Sequence, residues 1–211
     1  IQLMTDFLSA GFIDRIGYRT SMLIAHAASA AGLICLPLLP ELLPDPFAGL
    51  LIAVGIYAVG GGLLEVLVSP VVEALPTKNK EKTMSMLHSF YCWGHVAVVL
   101  LSTVFFALFG VENWRIMAVL WALVPIYNLF VFRKVPMCTL TEEGERGLSF
   151  ADLVRRPAFW ILMIVMVCAG ASEQSVSQWA STFAEQGLGV SKTIGDLTGP
   201  MFFAVCMGSS R

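Results

Sequence analysis

The sequence predicts an all-α membrane protein, and three observations lead to this fold class. First, 57% of its 211 residues are hydrophobic and only 13% are charged, whereas a soluble domain has about 25% charged residues. Second, apolar runs of roughly 20 residues, the length that crosses a bilayer, recur along the chain. Third, Lys and Arg concentrate in alternate loops. The expected partner of most of the surface is therefore the lipid bilayer. The net charge of −2 gives no basic surface for nucleic acid.

The apolar runs predict five complete membrane spans and two partial ones. The complete spans are 20–40, 47–75, 83–109, 114–133 and 157–182, and the partial spans are 1–12 and 193–210. Turns rich in proline or lysine separate them, and Pro157 suits the first turn of the helix that it begins. Because the chain begins within an apolar run, without a methionine, we expect it to be an internal piece of a longer protein.

The Lys and Arg residues predict which loops face the cytoplasm. If the spans alternate in direction, eleven of the thirteen basic residues fall on one side of the membrane, and only Arg115 and Lys192 fall on the other. Cytoplasmic loops carry the excess of basic residues. We therefore expect loops 13–19, 76–82 and 134–156 to be cytoplasmic. If the protein is bacterial, we expect it in the cytoplasmic (inner) membrane.

The short polar loop between the first two apolar runs has a distinctive spacing. It reads G-x-x-D-R-x-G-x-R, formed by Gly11, Asp14, Arg15, Gly17 and Arg19. This pattern resembles the signature loop between the second and third helices of major facilitator superfamily transporters. The resemblance implies a cytoplasmic loop that acts in conformational change and does not contact the solute.

The same resemblance implies a fold in which two six-helix halves are joined by a long cytoplasmic loop. On this basis the chain covers about helices two to eight of twelve. We expect 1–133 to form most of the N-terminal half-bundle, 134–156 the loop between the halves, and 157–211 the start of the C-terminal half-bundle.

Glu65 is the clearest functional candidate, because an ionisable group inside a span costs about 2.5–3.5 kcal/mol on insertion scales. It follows a run of three glycines, and Ser69 lies one helical turn further on, before Pro70. This segment resembles the fourth helix of the fucose permease-like sugar:proton symporters, where L-E-x-x-x-N-P recurs. That resemblance implies sugar binding and proton coupling by Glu65, although Ser69 replaces the family's asparagine. The alternative is a structural acid that is paired within the bundle.

The first half of the 83–109 span contains His88, Tyr91 and His95, whose i, i+3, i+7 spacing places them on one helical face. Their donors and rings suit a polyhydroxylated ligand. The alternative is that the histidines are packing residues near the helix entrance. No carboxylate or cysteine completes a metal-ligand set at helical spacing, so we expect no metal.

The 157–182 span contains a stretch too polar for a helix that faces lipid. In the superfamily, helix seven lines the central cavity, which implies substrate binding by Glu173, Gln174, Ser177, Gln178 and Trp179. The alternative is a helix end that has become polar at the extracellular mouth.

Together these features predict a secondary active transporter that imports a sugar or similar polyhydroxylated solute with protons, by alternating access. We expect no cofactor other than the coupling ion, no obligate protein partner and no enzymatic activity. Two alternatives remain. The same fold could carry a nucleoside, amino sugar or organic anion, or the chain could be a membrane enzyme or receptor, for which we find no nucleophile–base pair.

The predicted topology is testable by cysteine labelling. In the full-length protein, Lys80→Cys should react with an impermeant maleimide only from the cytoplasmic side, whereas Lys192→Cys should react only from outside. Labelling of residue 80 from outside alone would refute this topology.

Overall fold

A computed structural model describes Thr5, Leu8, Phe12, Ile13, residues 16–138, Asp152 and residues 154–210. Within these residues the secondary structure is entirely helical. We number the helices in chain order: α1 Tyr18–Leu42, α2 Pro46–Glu73, α3 Lys80–Phe109, α4 Trp114–Phe132, α5 Pro157–Leu188, α6 Lys192–Asp196 and α7 Phe202–Ser209. A 3-10 turn, Val111–Asn113, precedes α4, and a π-helical segment, Leu197–Met201, joins α6 to α7.

The five complete spans predicted from the sequence are all present as helices long and apolar enough to cross a membrane. Most boundaries agree within three residues. The largest difference is at α5, which continues from the expected end at 182 to Leu188 before Gly189 ends it in the left-handed conformation, with φ of 67°. The partial span 193–210 is interrupted by the π-helical segment. The other partial span, 1–12, lies outside the described residues except for three positions.

Contacts divide the chain into two compact units. The first comprises Ile1–Met84 with Phe109–Leu140, and the second comprises Ser85–Leu108 with Thr141–Arg211. The predicted division at 134–156 into two half-bundles stays a prediction, since these units are defined by contacts within this chain.

Glycines bring α1 and α2 of the first unit into close contact. A Cβ atom placed on Gly60 would lie 2.5 Å from the Ser29 backbone nitrogen, and one on Gly32 would lie 2.5 Å from the Tyr57 nitrogen. In lipid, where the hydrophobic effect does not drive helices together, small residues allow the backbone approach that maximises van der Waals contact. Within the glycine run 60–62, Gly60 therefore serves helix packing. A Cβ atom placed on Gly61 would have no neighbour within 4 Å among the described residues.

The ends of the helices in the first unit are held by polar contacts. At the start of α2, Asp45 caps the helix by accepting a hydrogen bond from the Phe47 nitrogen at 3.0 Å. At the C-terminal end of α1, Glu41 forms an ion pair with Arg115 at the start of α4. Both side chains of this pair are about half exposed, so the pair orients the helices more than it stabilises them.

The glycine interface makes a matched pair of substitutions informative. We expect Gly60→Ala to destabilise the protein by about 1–3 kcal/mol, because the added methyl group overpacks the contact with Ser29. Gly61→Ala should be neutral or stabilising by up to about 1 kcal/mol, since alanine favours the helix and meets open space. Thermal unfolding of the purified full-length variants measures both effects. Equal stability of the two variants would contradict the interface.

Candidate functional site

Glu65 lies on the face of α2 that does not pack against α1. The buried residues of this helix include Gly60, Leu63 and Leu67, whereas Glu65 is exposed among the described residues. A helix turns by about 100° per residue, so Glu65 points almost opposite Leu63. Ser69, one turn further along, is partly exposed on the same side as Glu65. Packing against α1 therefore covers the side of α2 that carries Leu63 and Leu67, and not the side that carries Glu65.

The position of Glu65 along α2 fixes its expected depth in a bilayer. The helix has 28 residues and is about 42 Å long, which exceeds the roughly 30 Å hydrocarbon core. Glu65 lies about 12 Å before the end of the helix at Glu73 and about 8 Å from its midpoint. If the helix is centred in the membrane, this carboxylate lies inside the hydrocarbon region, toward the predicted cytoplasmic side.

The residues predicted on the 83–109 span lie on α3. His88 and Tyr91 are exposed, and His95 is half-buried. The adjoining face of α3 carries Cys92, which is completely buried, and Ser89, which donates a hydrogen bond to the Gly208 carbonyl at 3.1 Å. Because Cys92 lies one helical turn after His88, the predicted ligand-binding face of α3 borders the face that packs against α7.

The polar stretch of α5 forms a strip along one helix. Gln178 donates a hydrogen bond to Gln174 at 3.1 Å, which holds these two amides together. Glu173 and Ser177 are half-buried, while Trp179 is 65% exposed. Trp179 also borders an open depression of about 420 Å³, which is lined only by α5 residues. Residues of a single helix cannot enclose a solute, so a complete site needs further helices.

The predicted site residues fall into two groups. Glu65 and Ser69 belong to the first compact unit, and the residues of α3 and α5 belong to the second. Their proposed joint action on one solute stays a prediction. Within 16–138 and 154–210, no cluster of His, Cys, Asp and Glu could hold a metal ion.

Of the signature loop, Gly11, Asp14 and Arg15 lie outside the described residues. Gly17 adopts a φ of 84°, which glycine tolerates far better than other residues, and it directly precedes α1. Arg19 donates hydrogen bonds to three backbone carbonyls at the end of α4: Phe132 at 3.2 Å, Arg133 at 2.7 Å and Val135 at 2.8 Å. The Phe132 and Arg133 carbonyls are among those that a helix end leaves without intrahelical donors, and Val135 lies in the segment that follows. Arg19 therefore caps the C-terminal end of α4 and links the signature loop to residues 132–135.

His26 is a residue that the sequence interpretation missed. Its side chain is 95% buried, since its exposed fraction is 5%, and its ring stacks on Phe132 with centroids 5.2 Å apart. Neither ring nitrogen has a hydrogen-bond partner among the described residues. An ionisable residue within the 20–40 span was the available signal, because such groups are rare in membranes. Its neighbours Ala25 and Ser29 are small and buried, and they mark the same face as a packing surface.

Comparison with known proteins decides the family. The family model of the Major Facilitator Superfamily matches residues 1–210, nearly the whole chain. The chain belongs to the major facilitator superfamily. It is accordingly an integral, multi-pass membrane protein with the helical-bundle fold of secondary transporters, and the resemblance of the signature loop is confirmed at this level. No curated protein and no solved structure matches the chain, so the narrower sugar-symporter resemblance is untested.

The Arg19 contacts predict a specific defect. Arg19→Gln should lower the stability of the full-length protein by about 1–2 kcal/mol, because three carbonyls lose a charged donor. Arg133→Gln removes the same charge at the same helix end, but among the described residues its side chain lies over the Phe130 ring, so the substitution should have a smaller effect. Thermal unfolding compares the two variants, and an equal loss in both would contradict the capping role.

Proposed function

We propose that this transporter couples the import of a sugar or similar polyhydroxylated solute to protons. The observation that carries the proposal is the position of Glu65, which is an acid inside a membrane span on the face of α2 that α1 leaves open. Placing a carboxylate there is costly, and the glycine packing of α2 does not require it.

Glu65 has the chemistry of a coupling group. A carboxylate in a region of low water content binds a proton when it faces the side of higher proton concentration, and releases it when access changes. Ser69 supplies a hydroxyl on the same helical face. The account needs no cofactor beyond this coupling ion, and it places the protein in the cytoplasmic membrane if its source is bacterial.

The side chains of α3 and α5 support the proposed solute class. His88 and Tyr91 supply hydrogen-bonding groups, and the Gln174–Gln178 pair supplies amides that bind hydroxyl groups. Trp179 offers an exposed ring on which a sugar ring could stack. In this scheme two bundles rock about a site near the midplane, where side chains from both halves meet the solute. A nucleoside, amino sugar or organic anion on the same fold is the alternative, distinguished by competition in an uptake assay.

The coupling role of Glu65 predicts a selective loss. In vesicles containing the full-length protein, Glu65→Gln should reduce sugar accumulation driven by a pH gradient at least tenfold, because glutamine cannot bind and release a proton. Binding of the solute, and exchange of labelled for unlabelled solute, should persist, since neither requires net proton movement.

Glu173→Gln on α5 is the matched control, as it removes an acid from a helix that is proposed to bind solute. We expect it to weaken apparent affinity more than accumulation. Accumulation at the parent level by Glu65→Gln would overturn the coupling role and leave Glu65 as a structural acid.

A further inference from the structure

His26 is a buried ionisable residue of α1 that the proposed function leaves unused. Its side chain is 5% exposed, and neither ring nitrogen has a hydrogen-bond partner among the described residues. Buried polar groups without partners are destabilising, so a phenylalanine ring would serve packing at this position better than histidine does. The position therefore holds a group that can bind a proton where packing alone requires only a ring.

Two contacts from α1 meet at the last residue of α4. The His26 ring stacks on the Phe132 ring, with centroids 5.2 Å apart and ring planes inclined by 22°. The Phe132 carbonyl accepts a hydrogen bond from Arg19, which precedes His26 on α1. Phe132 also packs against the buried cluster between α1 and α2, which includes Met22 and Leu67. This one residue therefore joins the end of α4 to the rest of the first compact unit.

The described charged groups that α1 and α4 place near His26 are cations. Arg19 lies about two turns earlier on α1, and Arg133 and Lys134 are exposed at the end of α4. Tyr18, at the start of α1, packs against the same buried cluster, and phenols ionise only in strongly basic solution. A protonated His26 would therefore meet like charges on both helices.

The described acids of α1 and α2 lie away from His26. Glu65 is on the side of α2 that α1 does not cover, and Glu73 is exposed at the last residue of that helix. Glu41 lies at the far end of α1. The Phe132 ring attracts a cation, but this attraction is weaker than the hydration that a buried imidazolium loses. Protonation of His26 therefore opposes the contact with α4.

We propose that His26 is an acid-sensitive switch in the first compact unit. At neutral pH the uncharged ring stacks on Phe132 and holds the end of α4. Protonation in an acidified cytoplasm opens this contact, loosens the neighbouring hydrogen bonds of Arg19 and slows transport, since the helices lose their fixed arrangement. His26 lies about 12 Å along α1 from Tyr18, on the side that we expect to be cytoplasmic. The proposal requires neither a sugar nor proton coupling by Glu65.

Hydrogen–deuterium exchange of backbone amides measures the opening at the end of α4. In the full-length protein at about pH 5.5, we expect residues 126–135 to exchange about tenfold faster in the parent than in His26→Phe, because one proton bound on opening shifts the equilibrium by up to about tenfold per pH unit. At about pH 7.5, where histidine is uncharged, the two proteins should exchange equally. Comparison at a single pH removes the effect of pH on the chemical exchange rate.

His95→Phe on α3 is the matched control, because it removes a half-buried histidine from the other compact unit. Over residues 126–135 it should exchange like the parent at both pH values. His26→Gln is a second variant without a titratable ring, and its exchange should depend on pH as that of His26→Phe does, even if the larger phenylalanine disturbs packing. Equal exchange of the parent and both His26 variants at acidic pH would overturn the switch.

Transport measurements test whether the opening regulates the protein. In vesicles with equal pH on both sides, lowering the pH from about 7.5 to about 5.5 should slow the exchange of labelled for unlabelled glucose about tenfold more in the parent than in His26→Phe. The same slowing in both proteins would overturn the regulatory role. A parent that exchanges no glucose at either pH would count against the proposed solute, while the amide exchange would still decide the switch.

Discussion

Close packing of α1 on α2 is the constraint on which the arrangement of the first compact unit depends. Lipid provides no hydrophobic force between helices, so they associate where small residues let their backbones approach. Gly32 and Gly60 provide that approach on opposite helices, near Tyr57 and Ser29. This interface determines which face of α2 is covered by α1. Glu65 lies on the opposite face. The position of the candidate coupling group is a consequence of glycine packing.

The fold was largely predictable from the sequence, because each span must satisfy two strong requirements. It needs about 20 apolar residues and an uninterrupted hydrogen-bonded helix, and both leave visible patterns. The prediction was incomplete where local chemistry matters. A bilayer-length argument ends the fifth complete span at 182, but backbone bonding continues α5 to Leu188. The π-helical segment Leu197–Met201 within the partial span 193–210 was not predicted, because hydrophobic periodicity does not reveal which backbone hydrogen bonds form.

The candidate site was predictable only as residue types on helical faces. Spacing placed His88, Tyr91 and His95 together on one face of α3, and in the structure the first two are exposed and His95 is half-buried. What spacing could not supply is the partner of each face. The contacts of Arg19 with the end of α4 and of His26 with Phe132 join residues more than 100 positions apart in the chain, so no local pattern indicates them. The family match is consistent with these roles but assigns no residue.

The first compact unit is held together by contacts among α1, α2 and α4, and it carries the candidate coupling group. Arg19 and Glu41, near the two ends of α1, contact the two ends of α4. In the proposed function, Glu65 on α2 binds and releases the coupling proton. The most direct test is to add sugar to unbuffered proteoliposomes containing the full-length protein and to record external pH. The account predicts alkalinisation with each sugar pulse, as protons enter with solute. Sugar entry without any change in external pH would contradict it.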